Sequence, residues 1–273
     1  MPATGRARAA SGPETPPRPF GARHLSGTRI AHLFTLLALL AWWGYAQIVP
    51  PYQVPGPGLV AARMWDFVTD PYLLTQILVS LAHIGVAIAI SFVLGSALAA
   101  TARFVPATRM LIDGVLTPFL NAFSGIGWLF LALLWFGLDH STVVFAVTMI
   151  LIPLTAINVR TGLQELDGDL MELGLSLSRA APRRFARLVL PMLVPYFFAA
   201  LRMSFGVSWK VVLTAELFGG NAGLGYILNV ARQEFDTETI FAVIAFILIF
   251  VVLCEQVLFR PVQRRLDRRY ARA

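Results

Sequence analysis

Arg202, Lys210 and Glu216 are the residues whose chemistry is hardest to place, because all three fall in one apolar stretch where a charge needs water, a partner or a cavity. The spacing puts Arg202 and Lys210 about 80° apart around a helix, so they can share a broad face. One reading has them lining a subunit interface or gate, with Glu216 at the external end paired with Lys210. The other has Arg202 snorkelling to the inner surface and Glu216 lying in an outer loop. His83, in mid-membrane, is a candidate for touching a substrate path. Gly219, Gly220, Gly223 and Gly225, just before Tyr226, read as a flexible external turn that serves as gate or hinge. The remaining reactive residues assemble nothing. His24, His32, His83 and His140 show no metal-ligand spacing, and the lone Cys254 can build neither a disulfide framework nor a zinc site. The acids Glu165, Asp167, Asp169, Glu172, Glu234, Asp236 and Glu238 fall in loops, with no histidine at usable spacing. A phosphate loop G-x-x-x-x-G-K-[ST] is missing, since the one lysine follows Val207-Ser208-Trp209. No catalytic residue, metal or cofactor is expected in this chain.

The elements that carry these residues are membrane helices. Hydrophobic residues make up 57% of the 273 and charged residues 14%, with a mean hydropathy of +0.70, far from the balance of a soluble domain. Apolar windows of about 20 residues cross a bilayer as helix. Six are expected, at Ile30–Ile48, Ile77–Ala102, Ala122–Phe136 (short and glycine-bearing), Val143–Val159, Met192–Leu213 and Ile240–Phe259. The fold class is therefore all-α and polytopic. Residues 1–29, with prolines at 13, 16, 17 and 19, read as a disordered tail, 30–260 as the transmembrane domain, and 261–273 as a basic tail. Trp42, Trp43, Tyr45, Trp65 and Tyr72 read as interfacial anchors.

Arginine sets the orientation. With both termini inside, 18 basic residues lie in cytoplasmic segments and only Arg63 and Arg232 outside, which is the positive-inside pattern. Basic residues that flank apolar runs encode topology and do not form a nucleic-acid surface. The stretch Met171–Pro191, MELGLSLSRAAPRRFARLVLP, is then a cytoplasmic loop between two apolar spans. Such a loop offers a docking surface to a soluble partner. Arg183, Arg184 and Arg187 read first as positive-inside anchors within it.

This loop resembles the cytoplasmic EAA loop of ABC importer permeases, whose pattern is E-A-A, three residues, G, nine residues, then I-x-L-P. Anchored on Pro191, the glutamate falls on Glu172, the alanines on Leu173 and Gly174, the glycine on Ser178, the isoleucine on Leu188 and the leucine on Leu190. Glu172, Leu190 and Pro191 match, whereas Leu173 and Ser178 depart, and a serine in place of the family glycine implies a different turn. The resemblance runs over most of residues 50–270. VPGPGLV (54–60), SLAHIGVAIAISFVLGSALA (80–99), LALLWFGL (131–138) and ALRMSFGVSWKVVLTAELFGGNAGLGYIL (200–228) are similar to permeases of the nitrate, taurine, sulfonate and bicarbonate group. This chain has His83 where that group often has arginine, and NAFSGIGW (121–128) where it often has a proline-rich start to the third helix.

The resemblance implies a type I importer fold in the inner membrane and a homodimer of permease chains. It implies an external substrate-binding protein and a separate ATPase that binds ATP and grips the short helix around Glu172, Leu173, Gly174, Ser178, Arg179 and Ala180. The substrate it implies is a small anion or organic solute such as nitrate, a sulfonate, taurine or a vitamin precursor. The binding protein is expected to dock on the external loop Pro50–Thr75. Two other classes compete. A secondary transporter driven by an ion gradient usually shows paired broken helices in an internal repeat, and no convincing repeat joins the two halves. A membrane enzyme needs clustered acids and histidines near one interface, which the spacing does not supply.

Overall fold

The computed structural model describes residues 27–165 and 189–270, and every described element is helical. They are α1 (Gly27–Ala46), α2 (Pro57–Thr69), α3 (Pro71–Phe104), α4 (Pro106–Ala122, with a π turn at Ile112–Leu116), α5 (Gly125–Phe136), α6 (His140–Gln164), α7 (Leu190–Gly219), α8 (Leu224–Gln233) and α9 (Thr237–Cys254). A π turn at Glu255–Phe259 joins α9 to α10 (Arg260–Tyr270).

Local chemistry sets the helix starts. Asp70 caps α3 by accepting the Tyr72 N–H (2.7 Å), with Pro71 in the first turn. Asp139 caps α6 by accepting the Ser141 N–H (3.0 Å), and that bond draws its carboxyl below the ordinary value. Asp236 caps α9 through the Thr239 N–H (3.0 Å) and hydroxyl (2.6 Å).

α6 is the axis of the molecule. In its most apolar window 61% of residues are buried, against 17% in α7 and in the span formed by α9 and α10. α3 packs along one side of it through a stripe of small buried residues, Ser91, Gly95, Ala99 and Ala102. A Cβ on Gly95 would stand 2.8 Å from the Thr155 Cβ and 2.9 Å from the Ile152 carbonyl oxygen, so the backbones approach as closely as glycine allows. α7 packs on another side, and Val143, Val147 and Leu151 of α6 meet Trp209, Val212 and Ala215 of α7 in the same core. The segment expected as an external loop at 50–75 contains α2, which lies against α9: Phe67 is buried and its ring centroid is 5.9 Å from that of Phe246.

The described residues carry four or five of the expected six spans. Among the described residues four helices are long and apolar enough to cross a membrane: α3, α6, α7 and the α9–α10 run. α4 and α5 pass the same test only as a pair, bent by 84° at Phe123–Ser124, and make a fifth span where that pair counts as one. Thus the single short helix expected at 122–136 is the second arm of a bent helix pair. Within α1 the described apolar run is His32–Ala46.

Candidate functional site

Three groups of polar residues sit within this apolar frame. The largest is built on Glu216, in the last turns of α7 and fully buried. Its Oε2 accepts the Ser80 hydroxyl and the Gly225 N–H, each at 2.8 Å, and its Oε1 lies 2.8 Å from Nδ1 of His83. Ser80 Oγ in turn accepts the Leu224 N–H (2.8 Å), and the Gln76 side-chain oxygen accepts the Gly223 N–H (2.6 Å). Three successive N–H groups at the start of α8 are thereby held by α3 and α7. That satisfies donors which a helix start otherwise leaves open.

Glycine makes the approach possible. Gly223 has φ +104°, and a Cβ there would stand 2.4 Å from the Glu216 carboxylate; at Gly225 it would stand 2.5 Å from the Leu213 carbonyl. The turn expected to be a flexible hinge is therefore clamped on its buried side. With Glu216 ionised, Nδ1 of His83 is the donor, and its Nε2 faces Nδ1 of His140 at 2.9 Å. A chain of hydrogen bonds runs from Glu216 through His83 to His140, the first residue of α6. The Glu216 oxygens and His83 are all engaged by neighbouring groups, and the geometry is that of a clamp.

Glu216 neither pairs with Lys210 nor lies in an outer loop, so neither of the two sequence readings holds for it. Six residues place the two on different faces of α7, and Glu216 turns inward to α3. Arg202 also has another partner: its guanidinium bonds Glu255 and the Gln263 side chain, tying α7 to the π turn and to α10 beside a cavity of about 370 Å³. Lys210 is exposed on α7, in a cavity of about 330 Å³ at the break between α4 and α5. A third polar group, Asp113 with Arg160 (2.5 Å) and Arg109 (3.7 Å), joins α4 to the end of α6.

Of the loop residues, Glu172, Leu173, Gly174, Ser178, Arg179 and Ala180 lie outside the described residues. Leu190 and Pro191 open α7, with proline in the first turn, where its missing N–H breaks no helical bond. Sequence reasoning missed Gln76, Ser80, His140, Asp113, Glu255 and Gln263. Gln76, Ser80 and His83 do carry a signal, since they recur at i, i+4 and i+7 and draw one polar stripe along an apolar helix. Glu255 signals only as an acid at the end of an apolar run, and nothing local points it at Arg202.

Comparison with known proteins gives the same architecture. Residues 58–272 match the family described as "Binding-protein-dependent transport system inner membrane component". The taurine transport system permease protein TauC of Escherichia coli (strain K12) is 26% identical over 240 residues, 85% of this chain and 86% of that protein. The formylaminopyrimidine transport permease protein ThiX of Halalkalibacterium halodurans is 28% identical, covering 77% and 84%. The nitrate import permease protein NrtB of Leptolyngbya laminosa is 25% identical, covering 69% and 71%. Among solved structures, a chain of the MetNI methionine ABC transporter in inward facing conformations superposes with a TM-score of 0.62 at 16% identity, over 71% of this chain and 96% of that one. That last likeness is one of fold.

Proposed function

The chain belongs to the family of binding-protein-dependent transport system inner membrane components, and from that premise we propose that it is the membrane-spanning permease of an ATP-driven ABC importer for a small solute. The observation that carries this reading is the family match across 215 residues, from α2 to the end of α10. The relatives' names point to a sulfonate, nitrate, taurine or pyrimidine-precursor type of solute. The chain has no phosphate loop of its own. Energy then comes from a separate cytoplasmic ATPase docked on the segment from Glu172 to Pro191, and an external binding protein delivers the solute. Two copies of the chain frame the path, and both termini lie in the cytoplasm. In this reading the clamp on Glu216 holds the α7–α8 corner as one piece while the helices rock. Arg202, Lys210 and His83 lie on or near the path, with Gly223 and Gly225 fixing the corner.

The test is purification from the native membrane in mild detergent, as wild type, Glu172→Ala and Pro191→Ala. The expected result is an ATPase that co-elutes with the wild type and hydrolyses ATP, and variants that insert normally but lose the ATPase or its coupling to uptake. Normal ATP-dependent uptake in both variants would remove the docking role of the loop. A chain that elutes alone and transports with an ion gradient would make it a secondary transporter.

A further inference from the structure

We propose that a cavity of about 180 Å³ lined by Arg103, Arg109, Asp113 and Arg160 is a headgroup site for an anionic phospholipid, whose phosphate the guanidiniums receive. The site concerns the lipid around the protein and is independent of the solute carried. Three elements meet there. The last turn of α3 brings Arg103, α4 brings Arg109 and Asp113, and the last turns of α6 bring Arg160 and Gln164. Three guanidiniums stand against one carboxylate, a net +2 on the wall of a small space. Asp113 is committed to Arg160 (2.5 Å) and only loosely to Arg109 (3.7 Å), whose side chain stays 66% exposed. Arg103 is exposed and has no ion pair among the described residues. Arg103 and Arg109 thus keep open donors, and a planar guanidinium matches two phosphate oxygens at once.

Depth selects the occupant. Arg160 stands about 30 Å along α6 from its first residue, His140, which is one hydrocarbon thickness. Arg103 stands about 48 Å along α3 from Pro71, past the hydrocarbon layer. The cavity therefore opens at the level of lipid phosphates and not among the acyl chains. By the arginine asymmetry of the chain, that level belongs to the inner leaflet. Phe104, Met110, Leu111 and Val115, close in sequence to the cavity residues, are all exposed. A free inorganic anion gains nothing from such an apolar rim. A phospholipid gains twice, because its acyl chains cover the rim while its headgroup enters the cavity. Basic pockets at the inner ends of membrane helices hold lipid headgroups through this pairing of charge and depth.

The test is native mass spectrometry of the delipidated full-length chain, with any subunits that co-purify, titrated with dioleoylphosphatidylglycerol and in parallel with dioleoylphosphatidylcholine. The expected result is that the first phosphatidylglycerol binds more tightly than the first phosphatidylcholine. Arg103→Gln with Arg109→Gln should weaken that phosphatidylglycerol by about 30-fold, since each basic residue near a lipid surface is worth about fivefold. Arg264→Gln with Arg265→Gln removes the same charge from an exposed face of α10 and should leave the binding near the wild-type value. Equal loss in the two double variants reduces the effect to the general charge of the inner surface and overturns the site. Phosphatidylcholine binding as tight as that of phosphatidylglycerol overturns it too. Millimolar ammonium phosphate added to the phosphatidylglycerol complex separates the two sources of phosphate: a retained lipid supports the headgroup site, and a displaced one overturns it in favour of a free oxyanion. None of these readouts uses ATP or uptake, so failure here leaves the importer reading standing, and failure of that reading leaves the lipid site standing.

Discussion

At the scale of the residue, Glu216 shows how a buried carboxylate is tolerated in an apolar protein: three donors converge on its two oxygens. Glu216→Ala strands those donors, and each buried unsatisfied group costs about 1–3 kcal/mol. The expected outcome is a large fall in the thermal midpoint of the detergent-solubilised protein. Glu216→Gln, which keeps the shape and part of the bonding, should fall less. Equal loss in the two variants would mean that the carboxylate is not the organiser of the corner. Gly223→Ala should approach the alanine variant in severity, because it adds both a strained φ and a Cβ at 2.4 Å from the same carboxylate.

At the scale of the element, caps and close approaches decide where helices begin and how near they come. Partial burial pushes the Asp236 carboxyl up, but the Thr239 hydroxyl and N–H and the Arg63 guanidinium bring it below its ordinary value of 3.8. Because the folded value is the lower one, this cap contributes stability above the ordinary value and loses it as pH falls through the folded value. Asp236→Ala should cost about 0.5–2 kcal/mol at neutral pH, the usual range for a lost N-cap, and the difference from wild type should shrink below about pH 4. Thermal midpoints measured at pH 7 and pH 3.5 check both the size and the sign. At the α3–α6 contact, Gly95→Leu drives a side chain into the Ile152 carbonyl and the Ala156 N–H. That variant is expected to lose monodispersity in size-exclusion chromatography, whereas Gly85→Leu, where a Cβ meets nothing within 4 Å, keeps it.

At the scale of the whole molecule, arginine asymmetry and helix count make a joint prediction. Both termini lie in the cytoplasm only if the number of crossings is even, and the described helices give four spans or five. α1 therefore has to supply a sixth crossing, with flanking residues completing its short apolar run, if the bent pair is one span. Reporter enzymes active only in the cytoplasm, fused at Met1 and Ala273, should both be active. A fusion at Gln53, between α1 and α2, should be inactive. Activity at Gln53 would leave α1 on the membrane surface and reverse the orientation of everything after it or of the tail before it.

What the sequence determined by itself is what depends on neighbours along the chain: apolar runs of spanning length, arginines flanking them, and the coupling-loop resemblance that ends at Pro191. Hydropathy is local, so it reads directly from spacing. The polar stripe Gln76–Ser80–His83 carried a local signal, of which only His83 was read, and its partner carried none. Glu216 is more than 130 residues away and was read either toward Lys210 or into an outer loop, because spacing around one helix cannot say which face turns inward. The pairing of Arg202 with Glu255 was hidden for the same reason. So was the break at Phe123–Ser124, where one expected helix became the second arm of a bent pair. Only tertiary packing decided these, since a charge in an apolar protein settles where a counter-group is brought within bonding distance. That distance is fixed by how α3, α6 and α7 lie against one another, through contacts such as Gly95 on Ile152 that no single helix contains.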